Sequence, residues 1–192
     1  MAASGTVALV DVDIIVLNGG SSSGKSTLAT CLQRQLDGTW LTLGVDDLIR
    51  AISYGPHDTQ AAGTLVVASD GSVAIGAEFR EAELAWYRGL AAMAGAGLGI
   101  IIDEVFLGGA ASQARLRSAL DGLTVLWVGV QCSPEVAEAR EIERGDRTLG
   151  MARLQAALVH EGVDYDIVVD TTNSPSAQCA TVITEWRAGH KS

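Results

Sequence analysis

The run Gly19-Gly20-Ser21-Ser22-Ser23-Gly24-Lys25-Ser26 satisfies GxxxxGK[ST] at every fixed position and directly follows the apolar stretch from Asp13 to Asn18. A loop of this kind needs a strand to deliver it and a helix to leave it, because its backbone N–H groups converge on phosphate at a helix N-terminus. The chain is thereby committed to a strand–loop–helix unit. An ordinary Gly/Ser turn has no need of Lys and Ser directly after its last glycine. Gly19, Gly20, Ser21, Ser22, Ser23 and Gly24 present backbone to the phosphates, Lys25 reaches the β- and γ-phosphates, and Ser26 ligates Mg²⁺, with Thr27 beside them. The cofactors expected are ATP and Mg²⁺, and Lys25 is expected to be exposed while the loop is empty.

A chain of 192 residues, 48% hydrophobic and 19% charged, suits one globular domain spanning 1–192, with a ragged N-terminal extension over 1–12. The formal charge of −10 and the lack of any Lys/Arg block argue against a nucleic-acid partner. Cys31, Cys132 and Cys179 form no CxxC pair, which argues against a disulfide framework or a zinc site. The opening residues have no basic start and only a short apolar part, so neither a secretory nor a membrane segment is expected, and the location is read as cytoplasmic. A homo-oligomer is compatible with these features.

Helical periodicity runs over Lys25 to Leu36, and a second short strand over Trp40 to Val45 is closed by Asp46 and Asp47, ahead of a helical stretch from Asp47 to Ile52. Ser53 to Gly76 shows no clear period and reads as an irregular, substrate-covering region. Helices follow over Glu78 to Ala94, Gly108 to Leu120, Pro134 to Glu143, Met151 to His160 and Ala177 to Arg187. They alternate with strands over Leu98 to Asp103, Leu123 to Val130 and Asp166 to Asp170. The fold class expected is α/β, a P-loop NTPase fold with a five-stranded parallel sheet, helices on both faces and a small arginine-bearing lid.

Four acidic residues compete for two roles. Asp103 ends a buried strand in the manner of a Walker B acid and would orient Mg²⁺ opposite Ser26, with Glu104 able to share that work. Asp46 stands where a carboxylate can take the proton of an attacking hydroxyl; Asp47, pointing elsewhere, suits a helix N-terminus. Arg140, Arg144 and Arg147, at steps of four and three, share a side of the chain from which a closing segment brings guanidinium groups to the transferring phosphoryl. A solvated helix face pairing Arg140 and Arg144 with Glu138, Glu141 or Glu143 is the competing reading. Thr171 to Pro175 lies where an adenine ring can rest but is also ordinary turn chemistry. His57, His160 and His190 show no metal spacing.

The phosphate loop, Gly44-Val45-Asp46, the run from Ile100 through Asp103-Glu104-Val105-Phe106-Leu107 to Gly109, and Arg144-Gly145-Asp146-Arg147 occur in an order that resembles the chloramphenicol phosphotransferase family. Leu126-Trp127-Val128-Gly129-Val130 and Val159-His160-Glu161-Gly162-Val163 add to the likeness, which covers roughly Ile14 to Thr172. Members phosphorylate the primary hydroxyl of chloramphenicol with ATP and Mg²⁺. The resemblance implies Asp46 as the catalytic aspartate, Lys25 and Ser26 as the loop lysine and serine, and Arg144 and Arg147 as lid arginines. It fades over Ser53 to Ser69, where the acceptor pocket is expected. The function implied is an ATP-dependent O-phosphotransferase acting on a small hydroxylated antibiotic and conferring resistance. The alternatives are a kinase of another hydroxylated antibiotic or metabolite, and a nucleotide-binding regulatory ATPase.

Overall fold

The computed structural model describes residues 12–52, 65–67, 73–144 and 150–189. Its strands are β1 (Ile14–Asn18), β2 (Trp40–Gly44), β3 (Leu65–Val67), β4 (Val73–Ile75), β5 (Gly99–Glu104), β6 (Val125–Gln131) and β7 (Ile167–Asp170). The helices are α1 (Lys25–Gln35), α2 (Val45–Ala51), α3 (Ala77–Gly95), α4 (Ala110–Ala119), α5 (Pro134–Arg144), α6 (Met151–Leu158) and α7 (Ser176–Gly189). Five strands form a parallel sheet in the order β2-β5-β1-β6-β7. Crossover helices cover both faces of such a sheet, which is why its central strands are apolar without alternation.

Side chains nevertheless alternate between two cores. Ile15, Leu17, Ile101, Val128 and Val130 pack with Leu28, Leu32 and Ile183 of α1 and α7. Ile14, Val16, Ile100, Ile102 and Trp127 pack with Tyr87, Leu90 and Leu116 of α3 and α4. At roughly 25 cal/mol per Å² of apolar surface, these two layers supply most of the driving force that holds the sheet's strand ends in place. Among the described residues no helix is long and apolar enough to cross a membrane.

Two differences from the sequence reading bear on the site. The stretch from Ser53 to Gly76, read as irregular, contains the antiparallel pair β3 and β4, with Val66 opposite Ala74. Each strand is three residues long, too short for a period-two pattern to register. Its residues 53–64 and 68–72 lie outside the described ones. The second strand ends at Gly44, not Val45, and α2 starts at once. A Cβ on Gly44 would stand 2.2 Å from the Asp103 carbonyl oxygen, so only glycine allows β2 to lie against β5 there. Asp47 Oδ2 accepts the Gly44 N–H at 2.8 Å and turns the chain into the helix. Asp46 therefore sits in the first turn of α2, not at a strand end.

Candidate active site

The loop from Gly19 to Gly24 is fixed from three sides. A Cβ on Gly19 would meet the Val130 carbonyl at 2.5 Å, and Gly24 has a φ of +87°. Ser22 also takes a positive φ, 56°, a conformation that side chains rarely adopt. From α6, Gln155 Oε1 accepts the Ser21 N–H at 2.8 Å, and from the end of β7 the Thr171 hydroxyl donates to the Ser23 carbonyl at 2.7 Å. The Ser22 and Ser23 hydroxyls are buried with no hydrogen-bond partner among the described residues, unmet polar capacity of the kind a phosphate cradle carries.

Lys25 is not exposed as expected. It is 7% accessible, because Nζ folds back to donate to the Gly20 carbonyl at 2.9 Å and lies 3.8 Å from Asp103 Oδ1. The Ser26 hydroxyl donates to Asp103 Oδ2 at 2.7 Å. Two hard oxygens side by side fit Mg²⁺, which keeps water and phosphate in its other positions. Among the described residues no group of three or more His, Cys, Asp or Glu could hold a metal ion.

Strand alternation separates the two acids at the end of β5. Asp103 follows Ile101 onto the α1 side, whereas Glu104 follows Ile102 onto the α3 side, where it is 3% accessible. Glu104 thus does not accompany Asp103 at Ser26. Burial, reinforced by the charges of Glu83 and Asp103, pushes its carboxyl up to about 8. The same burial, with Glu104 and Glu83 nearby, raises the Tyr87 hydroxyl far above its ordinary value. Arg80 Nη1 donates to both Glu83 oxygens at 2.9 Å, and Arg115 Nε reaches Oε2 at 3.3 Å.

A cavity of about 510 Å³ joins these groups. Its lining includes Ser21 to Thr27 from the loop and α1, Asp46 and Ile49 from α2, Ile75 from β4, Phe79 and Glu83 from α3, Glu104 from β5, and Arg144. That volume lies within the usual range for small-molecule sites. Asp46 is exposed and lines the cavity; Asp47 accepts from the Gly44 N–H and from Arg50 Nη2. Arg140 stands apart from Arg144. Its Nη2 donates to the Thr171 carbonyl at 2.8 Å and its Nη1 to Cys132 Sγ at 3.4 Å, and Nη1 would lie 3.7 Å from a Cβ on Gly24. Glu141, one of the acids in the competing reading, is a buried carboxylate that accepts the Gly150 and Ala152 N–H groups at 2.7 and 2.8 Å, anchoring α6 to α5. Arg147 lies outside the described residues.

Several supporting residues were given no role by the sequence. Asn18 is buried and accepts the Phe106 N–H at 2.9 Å while its amide donates to the Val159 carbonyl at 2.8 Å and to the Tyr165 hydroxyl. His160 Nδ1 meets that hydroxyl at 2.6 Å, and burial together with the Lys25 charge lowers the imidazole below its ordinary value. The Ala110 N–H donates to the Glu161 carbonyl at 3.0 Å, and a Cβ on Gly109 would stand 2.3 Å from that oxygen. The Phe106–Gly109 and Val159–Val163 strings are therefore two halves of one backbone contact behind the phosphate loop.

The sheet order and the phosphate loop after β1 define a P-loop fold. Solved structures with this fold include a sugar kinase from Janibacter sp. HTCC2649, at a TM-score of 0.66 and 20% identity over 92% of this chain and 94% of that one. A shikimate kinase from Acinetobacter baumannii in complex with shikimate gives 0.58 and 16% over 94% and 96%. The Mycobacterium tuberculosis APS kinase in complex with AMPPNP and APS gives 0.58 and 14% over 91% and 96%. The chain belongs to the chloramphenicol phosphotransferase-like family, whose model matches residues 12–187. A Mycobacterium tuberculosis protein named "Putative O-phosphotransferase" (strain H37Rv) is 32% identical over 191 residues, covering 90% of this chain and 80% of that relative.

Proposed function

We propose that this protein uses ATP and Mg²⁺ to phosphorylate a hydroxyl of a small antibiotic, chloramphenicol first among them, and so inactivates it. One observation carries the reading: the loop lysine and the Asp46 carboxylate line the same cavity. A regulatory ATPase has no need of a carboxylate facing acceptor space, whereas a hydroxyl kinase does.

Asp46 takes the proton of the acceptor hydroxyl. The acceptor oxygen bonds to the γ-phosphorus as the bond to the β,γ-bridging oxygen breaks, and that electron pair leaves with ADP. Lys25, Arg144 and Arg147 offset charge on the transferring phosphoryl, and the backbone of Gly19 to Gly24 holds the phosphates, with Thr27 alongside. Ser26 and Asp103 would hold Mg²⁺, which would offset the negative charge of the phosphates. Arg140, beside Gly24 and the Thr171 carbonyl, serves the nucleotide at the end of the loop away from the acceptor. Such a reaction draws on cytoplasmic ATP.

The test is a transfer screen with ATP and Mg²⁺ against hydroxylated antibiotics, sugars and shikimate, read by mass spectrometry. A single added phosphate on chloramphenicol supports the reading. Phosphate on a different panel member replaces the acceptor, and ADP release that no acceptor stimulates overturns the kinase assignment.

A further inference from the structure

Glu104 is unused by that mechanism, yet one of its carboxyl oxygens is buried and unpaired among the described residues. It sits where the apolar layer of Ile100, Ile102 and Tyr87 gives way to the cavity that Asp46 also lines. Tyr87 and the Val105 backbone lie beside its carboxyl and favour the charged form, but Oε1 is buried without a hydrogen-bond partner among the described residues. Its neighbour Glu83 is the contrast. Both Glu83 oxygens are taken by Arg80 and one of them by Arg115, so Glu83 has little left to offer a ligand. Nor does the nucleotide side account for Glu104, because the strand turns its side chain away from Ser26 and Asp103.

We propose that Glu104 is a specificity-determining residue of the acceptor half of the cavity, where its Oε1 meets an O–H or N–H group of the acceptor other than the hydroxyl that is phosphorylated. This rests on the O-kinase reading. A buried carboxyl oxygen left unpaired is costly, and a ligand donor group removes that cost only if it arrives in the right place. The acceptor class is thus a molecule with two hydrogen-bonding groups, one presented to Asp46 and one to Glu104. Compounds with a single hydroxyl fill the apolar wall of Ile49, Val73, Ile75 and Phe79 but leave Glu104 unmet.

Glu104→Met keeps the length and removes the polar end, and Glu104→Gln keeps an oxygen in place. Kinetics on the phosphorylated member of the panel are expected to show a tenfold or greater rise in acceptor KM for Glu104→Met. The KM for ATP and the Mg²⁺ requirement should stay within twofold, and Glu104→Gln should recover most of the loss. An acceptor analogue with its second O–H or N–H methylated should be disfavoured about tenfold by the unmodified protein and less than twofold by Glu104→Met, a readout that a merely structural role does not move. Glu104→Ala replaces Glu104→Met if the latter fails to fold. An unchanged acceptor KM, or an equal change in ATP KM, overturns the inference. If the protein phosphorylates no panel member, the O-kinase reading falls, and calorimetric binding of the panel to the AMPPNP–Mg²⁺ form decides this one: weaker binding in Glu104→Met sustains it, and equal or absent binding overturns it.

Discussion

The Ser26 hydroxyl donates to Asp103 Oδ2 at 2.7 Å, joining the first turn of α1 to the end of β5. Asp103 also lies 3.8 Å from Lys25 Nζ, so one carboxylate touches both loop residues proposed to serve the phosphates. Asp103→Asn is expected to lower kcat about 10²-fold and to raise the Mg²⁺ concentration needed for half-maximal rate. Lys25→Ala should cost about 10²- to 10³-fold or more. Activity titrated against Mg²⁺ on folded protein checks both, and a folded Lys25→Ala enzyme with near-normal turnover would sink the loop assignment.

Asp46 and Asp47 are neighbours with different obligations. Asp46→Asn should reduce transfer by about 10²-fold with ATP binding little changed, as loss of a general base requires. Asp47→Asn should leave kcat within about threefold yet cost on the order of 1 kcal/mol of stability, because it weakens the hydrogen bond to the Gly44 N–H and the pair with Arg50. Steady-state kinetics beside a denaturant titration separates the two, and a reversed ranking in kcat reassigns the base.

Arg144 lines the cavity, whereas Arg140 is committed to the Thr171 carbonyl. Arg144→Ala and Arg147→Ala are expected to lower kcat more than they raise the ATP KM, the pattern of groups that act in the transition state. Arg140→Ala should do the opposite. If the Arg144 and Arg147 variants alter only ATP affinity, they are ground-state clamps.

Glycine substitutions offer a test of the backbone contacts. Gly44→Ala and Gly109→Ala would drive a Cβ to 2.2 and 2.3 Å from carbonyl oxygens, and each should cost about 2 kcal/mol or more. Gly89, exposed within α3 with nothing near its missing Cβ, should gain about 0.5–1 kcal/mol as alanine. Chemical denaturation of the three variants reads the contrast directly.

His160 supplies a pH test. Its folded value lies below 6.5, so between 6.5 and that lowered value the unfolded chain binds the extra proton and the native state does not. Stability should therefore be complete above about 6.5 and should decline as pH falls toward the folded value. His160→Gln should flatten that acid limb in a series of melts across pH 5 to 7.5, and an unchanged slope would show that the imidazole is not held neutral.

Much of this architecture was legible from patterns with a strong local cause. The phosphate loop fixes its own strand and helix, and the apolar runs at Ile14 and Ile100 mark the buried middle of a parallel sheet. Other features depend on contacts between distant positions. Asn18 reads as a polar strand end, yet it ties Phe106, Val159 and Tyr165 together. Gln155 sits on an amphipathic helix, and only the packing of α6 over the loop reveals its bond to Ser21. The three-residue strands β3 and β4 left no periodic trace. Glu104 was grouped with Asp103 because adjacency in sequence hides a half-turn in space.

That half-turn has an evolutionary consequence. Substitutions at Glu104 and its companions on the α3 face can retune which molecule is accepted while Asp103, one residue earlier, stays bound to Ser26. A lineage can then change its target without rebuilding its engine, and a laboratory library confined to one face of the sheet can do the same. Insertion or deletion of one residue within β5 has no such freedom, since it exchanges the two faces at a stroke.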